Sequence, residues 1–120
     1  MVIDDEKDIV EILKAILEHE GYEVICAYDG EEGVQKTIES KPDLVVTDIM
    51  MPKLDGFGVV QKLKENFETF KTPIVVLTAK DQQIDRNKGL SLGVSAYIVK
   101  LFDLDELIIT VKELLSKSCN

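Results

Sequence analysis

The sequence predicts an α/β domain: a doubly wound, five-stranded parallel sheet in the order 2-1-3-4-5, with helices on both faces. Three observations carry this expectation. Leu44-Val45-Val46 and Ile74-Val75-Val76-Leu77 are apolar runs without alternation, which suits strands buried on both faces, the habit of a parallel sheet covered by helices. Stretches with apolar residues at helical spacing separate such runs, so strands and helices alternate along the chain. The length of 120 residues, 45% of them hydrophobic, suffices for one core and is short for two, so residues 1–120 are expected to form a single domain.

The elements follow in order. Val2-Ile3 is a fragment of an apolar strand ending in Asp4-Asp5-Glu6; Ile9, Ile12, Leu13, Ile16 and Leu17 then recur at helical spacing, with Gly21 as the C-cap. Tyr22 to Tyr28 is rich in strand formers, and Asp29-Gly30 turns it into a weaker helix that runs to about Glu39. Within that helix Gly33 costs roughly 1 kcal/mol relative to alanine, and Lys41-Pro42 ends it. Asp43 to Asp48 is the central strand. Asp55 to about Asn66 is a helix carrying Phe57, Val60 and Leu63 inward, and Pro73 to Thr78 is a further apolar strand. Asp81 to Leu92 reads as a polar helix with few anchors, Ile84 and Leu90 among them, closed by Gly93. Val94 to Val99 is the fifth strand, and Leu104, Leu107, Ile108, Val111, Leu114 and Leu115 make a strongly amphipathic last helix.

Charge and composition exclude several classes. A net charge of -9 argues against a nucleic-acid surface, which needs clustered Lys and Arg, and favours a protein that attracts cations. With 31% charged residues and no long polar tract, the chain is not a disordered tail. No apolar run approaches the roughly 20 residues of a membrane span, and the start lacks a signal peptide's pattern, so a soluble, cytoplasmic protein is expected. Cys26 and Cys119 lie far apart without metal-ligand spacing and read as a small buried thiol and a terminal one.

Strand order 2-1-3-4-5 makes the first and third strands neighbours where the winding reverses, so Asp4, Asp5 and Asp48 converge on one crevice, with Thr78 and Lys100 on the same edge. Clustered carboxylates repel and call for a cation. An all-oxygen set suits Mg²⁺, which keeps several waters and is held by a few carboxylates plus a substrate phosphate. Lys100 adds a positive charge and Thr78 a hydroxyl, groups able to stabilise a phosphoryl group on or near Asp48. Taken singly, each residue has a plain structural role: Asp4-Asp5 as helix caps, Thr78 as a turn residue, Lys100 as a solvated charge.

The chain resembles the receiver domains of bacterial two-component response regulators over essentially its whole length, which implies a flavodoxin-like fold. The resemblance rests on Val2-Ile3-Asp4-Asp5-Glu6, Pro42 to Pro52, Leu54-Asp55-Gly56-Phe57, Pro73 to Ala79, Gly93, Tyr97 and Lys100. It implies that Asp48 is the phosphoacceptor in a phosphorelay, that Asp4, Asp5, Asp48 and the backbone carbonyl of Met50 hold Mg²⁺, and that Thr78 and Lys100 bind the phosphoryl oxygens. It further implies that Tyr97 is an aromatic switch residue that repacks when Thr78 moves. The implied partner is a sensor histidine kinase or a histidine phosphotransfer protein, with a downstream effector. Such a receiver is not an enzyme in the ordinary sense, and only assists its own phosphorylation and dephosphorylation. Met50 and Lys80 stand where the family tunes water access, and neither is an evident acid or base, so slow phosphoryl loss is expected.

Three departures accompany the resemblance. Only Met1, Val2 and Ile3 precede the acidic pair, against a mean strand of roughly 5 to 6 residues, so upstream residues are missing or the central strand is short. Leu101 follows Lys100 where the family usually has a cis proline; a trans bond is the expectation, because cis costs about 2.5 to 4 kcal/mol before other residues. Asp103 then caps the last helix. Val94-Ser95-Ala96 lacks the acidic pair common in regulators that dimerise through their last helices.

Among rival classes, a Mg²⁺-dependent phosphatase with an aspartyl nucleophile needs a second acid two residues on, where Met50 stands. A flavin carrier needs a hydroxyl- and glycine-rich loop in place of Asp4-Asp5-Glu6. A pseudo-receiver, an interaction module of the same shape that takes no phosphoryl group, remains the alternative. The full set of Asp4, Asp5, Asp48, Thr78 and Lys100 weighs against it.

Overall fold

The computed structural model describes residues 1–49, 51, 54–78, 91–99 and 104–118. In chain order these form β1 (Val2–Ile3), α1 (Lys7–His19), β2 (Cys26–Ala27), α2 (Gly30–Ser40), β3 (Val45–Asp48), α3 (Gly56–Glu65), β4 (Ile74–Thr78), β5 (Ala96–Val99) and α4 (Leu104–Ser118). The strands make one five-stranded sheet in the order β2-β1-β3-β4-β5, parallel at every pairing. This is the doubly wound order that the sequence predicts.

Alternation along the strands creates two cores. Ile3, Val45, Ile74 and Val76 face one side, where Phe57, Val59, Val60 and Leu63 of α3 cover them. Val2, Val46, Val75, Leu77 and Ile98 face the other, against Val10, Leu13 and Leu17 of α1 and Leu107 and Val111 of α4. A strand buried on both faces has no polar side to show, which explains the unbroken apolar runs. Helix starts are set by aspartates. Asp29 accepts from Glu32 N–H and Asp55 from Gly58 N–H, both at 2.8 Å, caps worth about 1 kcal/mol each.

Gly33 has a reason the helix period does not show. A Cβ there would lie 2.5 Å from Cδ1 of the fully buried Ile3, so its absence lets α2 lie close on β1. Lys41 ends α2 in the left-handed region at φ 49°, and its N–H donates to Thr37 C=O.

The expected strand from Tyr22 to Tyr28 contracts to Cys26–Ala27, and the expected Asp43 to Asp48 strand begins at Val45. On the β2 side, β1 offers only Val2 and Ile3 for pairing, in register with Cys26–Ala27, so residues further back have no ladder to join; β3 begins at Val45 because that residue pairs with Ile74, the first of β4. In α1 the buried residues are Val10, Leu13 and Leu17, while Ile12, expected inward, is 49% exposed. Cys26 is half-buried rather than buried. The polar helix expected from Asp81 lies outside the described residues apart from Ser91 and Leu92, which are helical and precede Gly93 at φ 96°. Cys119 and Asp103 also lie outside them. Among the described residues no helix is long and apolar enough to cross a membrane.

Candidate functional site

Asp4 directly follows β1, and its N–H donates to Ala27 C=O at 3.1 Å, so the sheet ladder fixes its main chain. Its Oδ1 accepts from Glu6 N–H at 3.0 Å, a local turn that gathers the three consecutive acids. Asp48 ends β3 in register with Leu77 of β4, and Ile49 N–H reaches Leu77 C=O at 3.3 Å. Because β1 and β3 are neighbours where the strand order reverses, their carboxyl ends meet.

The outcome is an acidic cluster. Asp4, Asp5, Glu6 and Asp48 each present a carboxylate oxygen, and these atoms all lie within 4.8 Å of one another. Asp4 is 0% and Asp48 3% exposed, whereas Asp5 and Glu6 face solvent. One side of the cluster is therefore buried and the other open, as a site that exchanges with solution requires. A hard cation fits this donor set, since every ligand atom is an oxygen and two of the carboxylates sit where water screens them least.

The start of α3 closes against the same strand end. Gly56 N–H donates to Ile49 C=O at 2.7 Å, and a Cβ on Gly56 would be driven into the carbonyl of Asp48 and lie 2.7 Å from Cα of Ile49. The glycine lets the helix approach the backbone that carries Asp48. That contact explains the turn at Leu54-Asp55-Gly56, with Asp55 capping the first turn.

Of the residues singled out from sequence, Asp4, Asp5 and Asp48 are brought together. Thr78 ends β4, paired with Val99 of β5; its side chain is not among those described. Met50, Lys80, Lys100 and Leu101 lie outside the described residues, and so does the isomer of the Lys100–Leu101 bond. Tyr97 stands on β5 in register with Val76, half-buried against the core beneath α3. Glu6 adds a fourth carboxylate to the cluster, one that sequence reasoning did not count among the candidate ligands. Its place directly after Asp4-Asp5, at the mouth of α1, was the available signal.

The matches to known proteins agree with this geometry. The response regulator receiver domain family model matches residues 1–112. The receiver domain of a Francisella response regulator is similar at 35% identity and TM-score 0.85, over 98% of this chain and 95% of its own. The receiver domain of a signal transduction histidine kinase from Syntrophus aciditrophicus gives 31% and 0.88, over 97% and 88%. That of a sensor histidine kinase from Pseudomonas aeruginosa, with a magnesium ion coordinated in its active site cleft, gives 26% and 0.87, over 96% and 94%. Response regulator receiver domains are signalling modules of two-component systems. With its sheet order, its acidic strand ends and this match, the chain belongs to the response regulator receiver domain family.

Proposed function

We propose that the acidic cluster is a phosphoacceptor site and that Asp48 accepts a phosphoryl group from a phosphohistidine on a sensor histidine kinase or a histidine phosphotransfer protein. The observation that carries this reading is the burial of Asp48, 3% exposed, among carboxylates within 4.8 Å. In the transfer a carboxylate oxygen of Asp48 bonds to phosphorus, the phosphorus–nitrogen bond breaks, and the imidazole leaves with the electron pair and takes up a proton. Asp4, Asp5 and Asp48, with the backbone carbonyl of Met50, would hold Mg²⁺, and Glu6 stands close enough to join through water. When bound, the ion supplies positive charge to the phosphoryl oxygens and offsets the carboxylates' repulsion. Thr78 and Lys100 are assigned to the phosphoryl oxygens, and Tyr97, half-buried on β5, to the switch that carries the change to the surface near α4.

The test is incubation with acetyl phosphate and Mg²⁺ followed by intact mass measurement. A single phosphoryl adduct on the native chain, absent from Asp48→Asn, is the expected result. An adduct that persists in Asp48→Asn places the acceptor elsewhere. A native chain that takes up nothing is a pseudo-receiver. Asp5→Ala should remove most of the Mg²⁺ dependence of labelling.

A further inference from the structure

β2 is the outermost strand of the sheet, so one side of its backbone meets no neighbouring strand. Ile25 C=O accepts from Val2 N–H at 2.8 Å and Ala27 C=O from Asp4 N–H at 3.1 Å, which turns those carbonyls toward β1. Alternation along an extended chain sends Cys26 C=O and Tyr28 N–H the other way, off the edge of the sheet. An acceptor and a donor spaced in this manner are a template for another strand.

Both groups are taken by side chains of α2. Lys36 Nζ donates to Cys26 C=O at 2.9 Å, and Glu32 Oε1 accepts from Tyr28 N–H at 2.7 Å. The two side chains stand one helical turn apart and pair with each other, Lys36 Nζ lying 3.7 Å from Glu32 Oε2. Four-residue spacing thus carries a cation to the strand's acceptor and an anion to its donor, so the pair supplies what a neighbouring strand would offer. Burial does not hold it in place, since the Lys36 and Glu32 side chains are 41% and 37% exposed. Beside it, Ile25 and Tyr28 are themselves exposed, apolar surface that an added strand would cover.

We propose that Glu32 and Lys36 form a strap that closes the β2 edge and keeps the chain from pairing there with a second copy of itself. A second copy fits because the edge is self-complementary. With a two-fold axis at Cys26, the N–H and C=O of that residue meet the C=O and N–H of the same residue in the other copy, and Val24 stands opposite Tyr28. Two chains of net charge -9 repel at long range, and salt screens that repulsion, which leaves the strap as the short-range control. An exposed ion pair contributes little to folding, so its loss opens the edge without unfolding the domain.

The test is Glu32→Ala/Lys36→Ala in the 120-residue chain, followed by sedimentation velocity from micromolar to millimolar protein and by amide exchange. The buffer holds about 0.15 M salt, where charges are screened beyond about 8 Å. Alanine favours the helix, and the Asp29 cap and the buried Gly33 and Thr37 of α2 are untouched. The native chain should stay monomeric while the variant dimerises. Tyr28 exchange should be about tenfold faster in the dilute variant than in the native chain, because its acceptor is gone, and should slow again on concentration. Exchange in β3 and β4 should not change. Lys36→Met, which keeps the apolar stem and removes Nζ, should dimerise more weakly and supplies the test if the double variant does not fold. Variants that remain monomeric at every concentration overturn the proposal. So does dimerisation that leaves Tyr28 exchange independent of concentration, and so does a native chain that associates as strongly as the variants.

Discussion

Replacing Asp48 with asparagine should make the metal-free protein more stable, although it removes the proposed acceptor. Asp4 and Asp48 are both buried and offer carboxylate oxygens within 4.8 Å of each other. Two unit charges at 4.8 Å repel by about 3.5 kcal/mol at an effective dielectric near 20. Asn keeps the shape of Asp and removes the charge, while some favourable contacts of the Asp48 carboxylate are lost with it, so the expected net gain is about 1 to 3 kcal/mol. For a chain of 120 residues each kcal/mol moves the melting temperature by roughly 4 °C. Urea unfolding in EDTA at pH 7 reads the difference directly. Mg²⁺ should then narrow the difference: at ~100 times its dissociation constant the ion adds about 2.7 kcal/mol to the native chain, and less to the variant, which lacks one of the proposed ligands. A variant no more stable than the native chain in EDTA would show that repulsion between these two carboxylates does not govern the site.

Three other outcomes are expected. Gly56→Ala forces α3 away from the Asp48 carbonyl, which should cost about 1 to 3 kcal/mol in urea unfolding and blunt the Mg²⁺ response; an unchanged response would separate the helix contact from the site. Burial holds the Met1 ammonium at about 6 against an ordinary 8.0, so the unfolded chain binds more protons between those pH values. Stability should fall by about 3 kcal/mol as pH drops from 8 to 6 and level off on either side, and acetylation of the amino group should flatten that slope. Lys112 Nζ lies 2.7 Å from Glu20 Oε1 and holds that carboxyl below its usual range; an NMR titration should show Glu20 returning to ordinary behaviour in Lys112→Ala.

Much of the fold was legible because its signals are local. Unbroken apolar runs mark β3 and β4, and the aspartates before Gly30 and Gly56 cap α2 and α3 as turn chemistry predicts. The failures are non-local. Tyr22 to Ile25 carries strand-forming residues, yet a strand needs a neighbour, and the length of β1 decides where pairing stops. Ile12 sits at an apolar period in α1 while the buried line runs through Val10, Leu13 and Leu17. Which stripe of a helix turns inward depends on the position of the sheet beneath it, and the period alone does not determine that.

The site was legible in a different manner, through topology rather than through any one residue. Asp4 and Asp48 are separated by more than forty positions, and nothing in the residues between them fixes a distance. Their convergence follows once β1 and β3 are placed side by side, because parallel strands end at the same edge. The same logic explains why Glu6 was missed. β1 ends at Ile3 and aims the Asp4-Asp5 pair that follows it at the rim, whereas Glu6 is brought back to the cluster by a turn in which the Asp4 carboxylate accepts from Glu6 N–H. That bond makes Asp4 a structural acceptor and a candidate metal ligand at once. Asp4→Asn should therefore disturb the start of α1 less than Asp4→Ala, since the amide oxygen keeps the turn, while both should weaken Mg²⁺ binding. Equal loss of helix protection in the two variants, measured by amide exchange at Lys7 to Val10, would show that the turn does not depend on that acceptor.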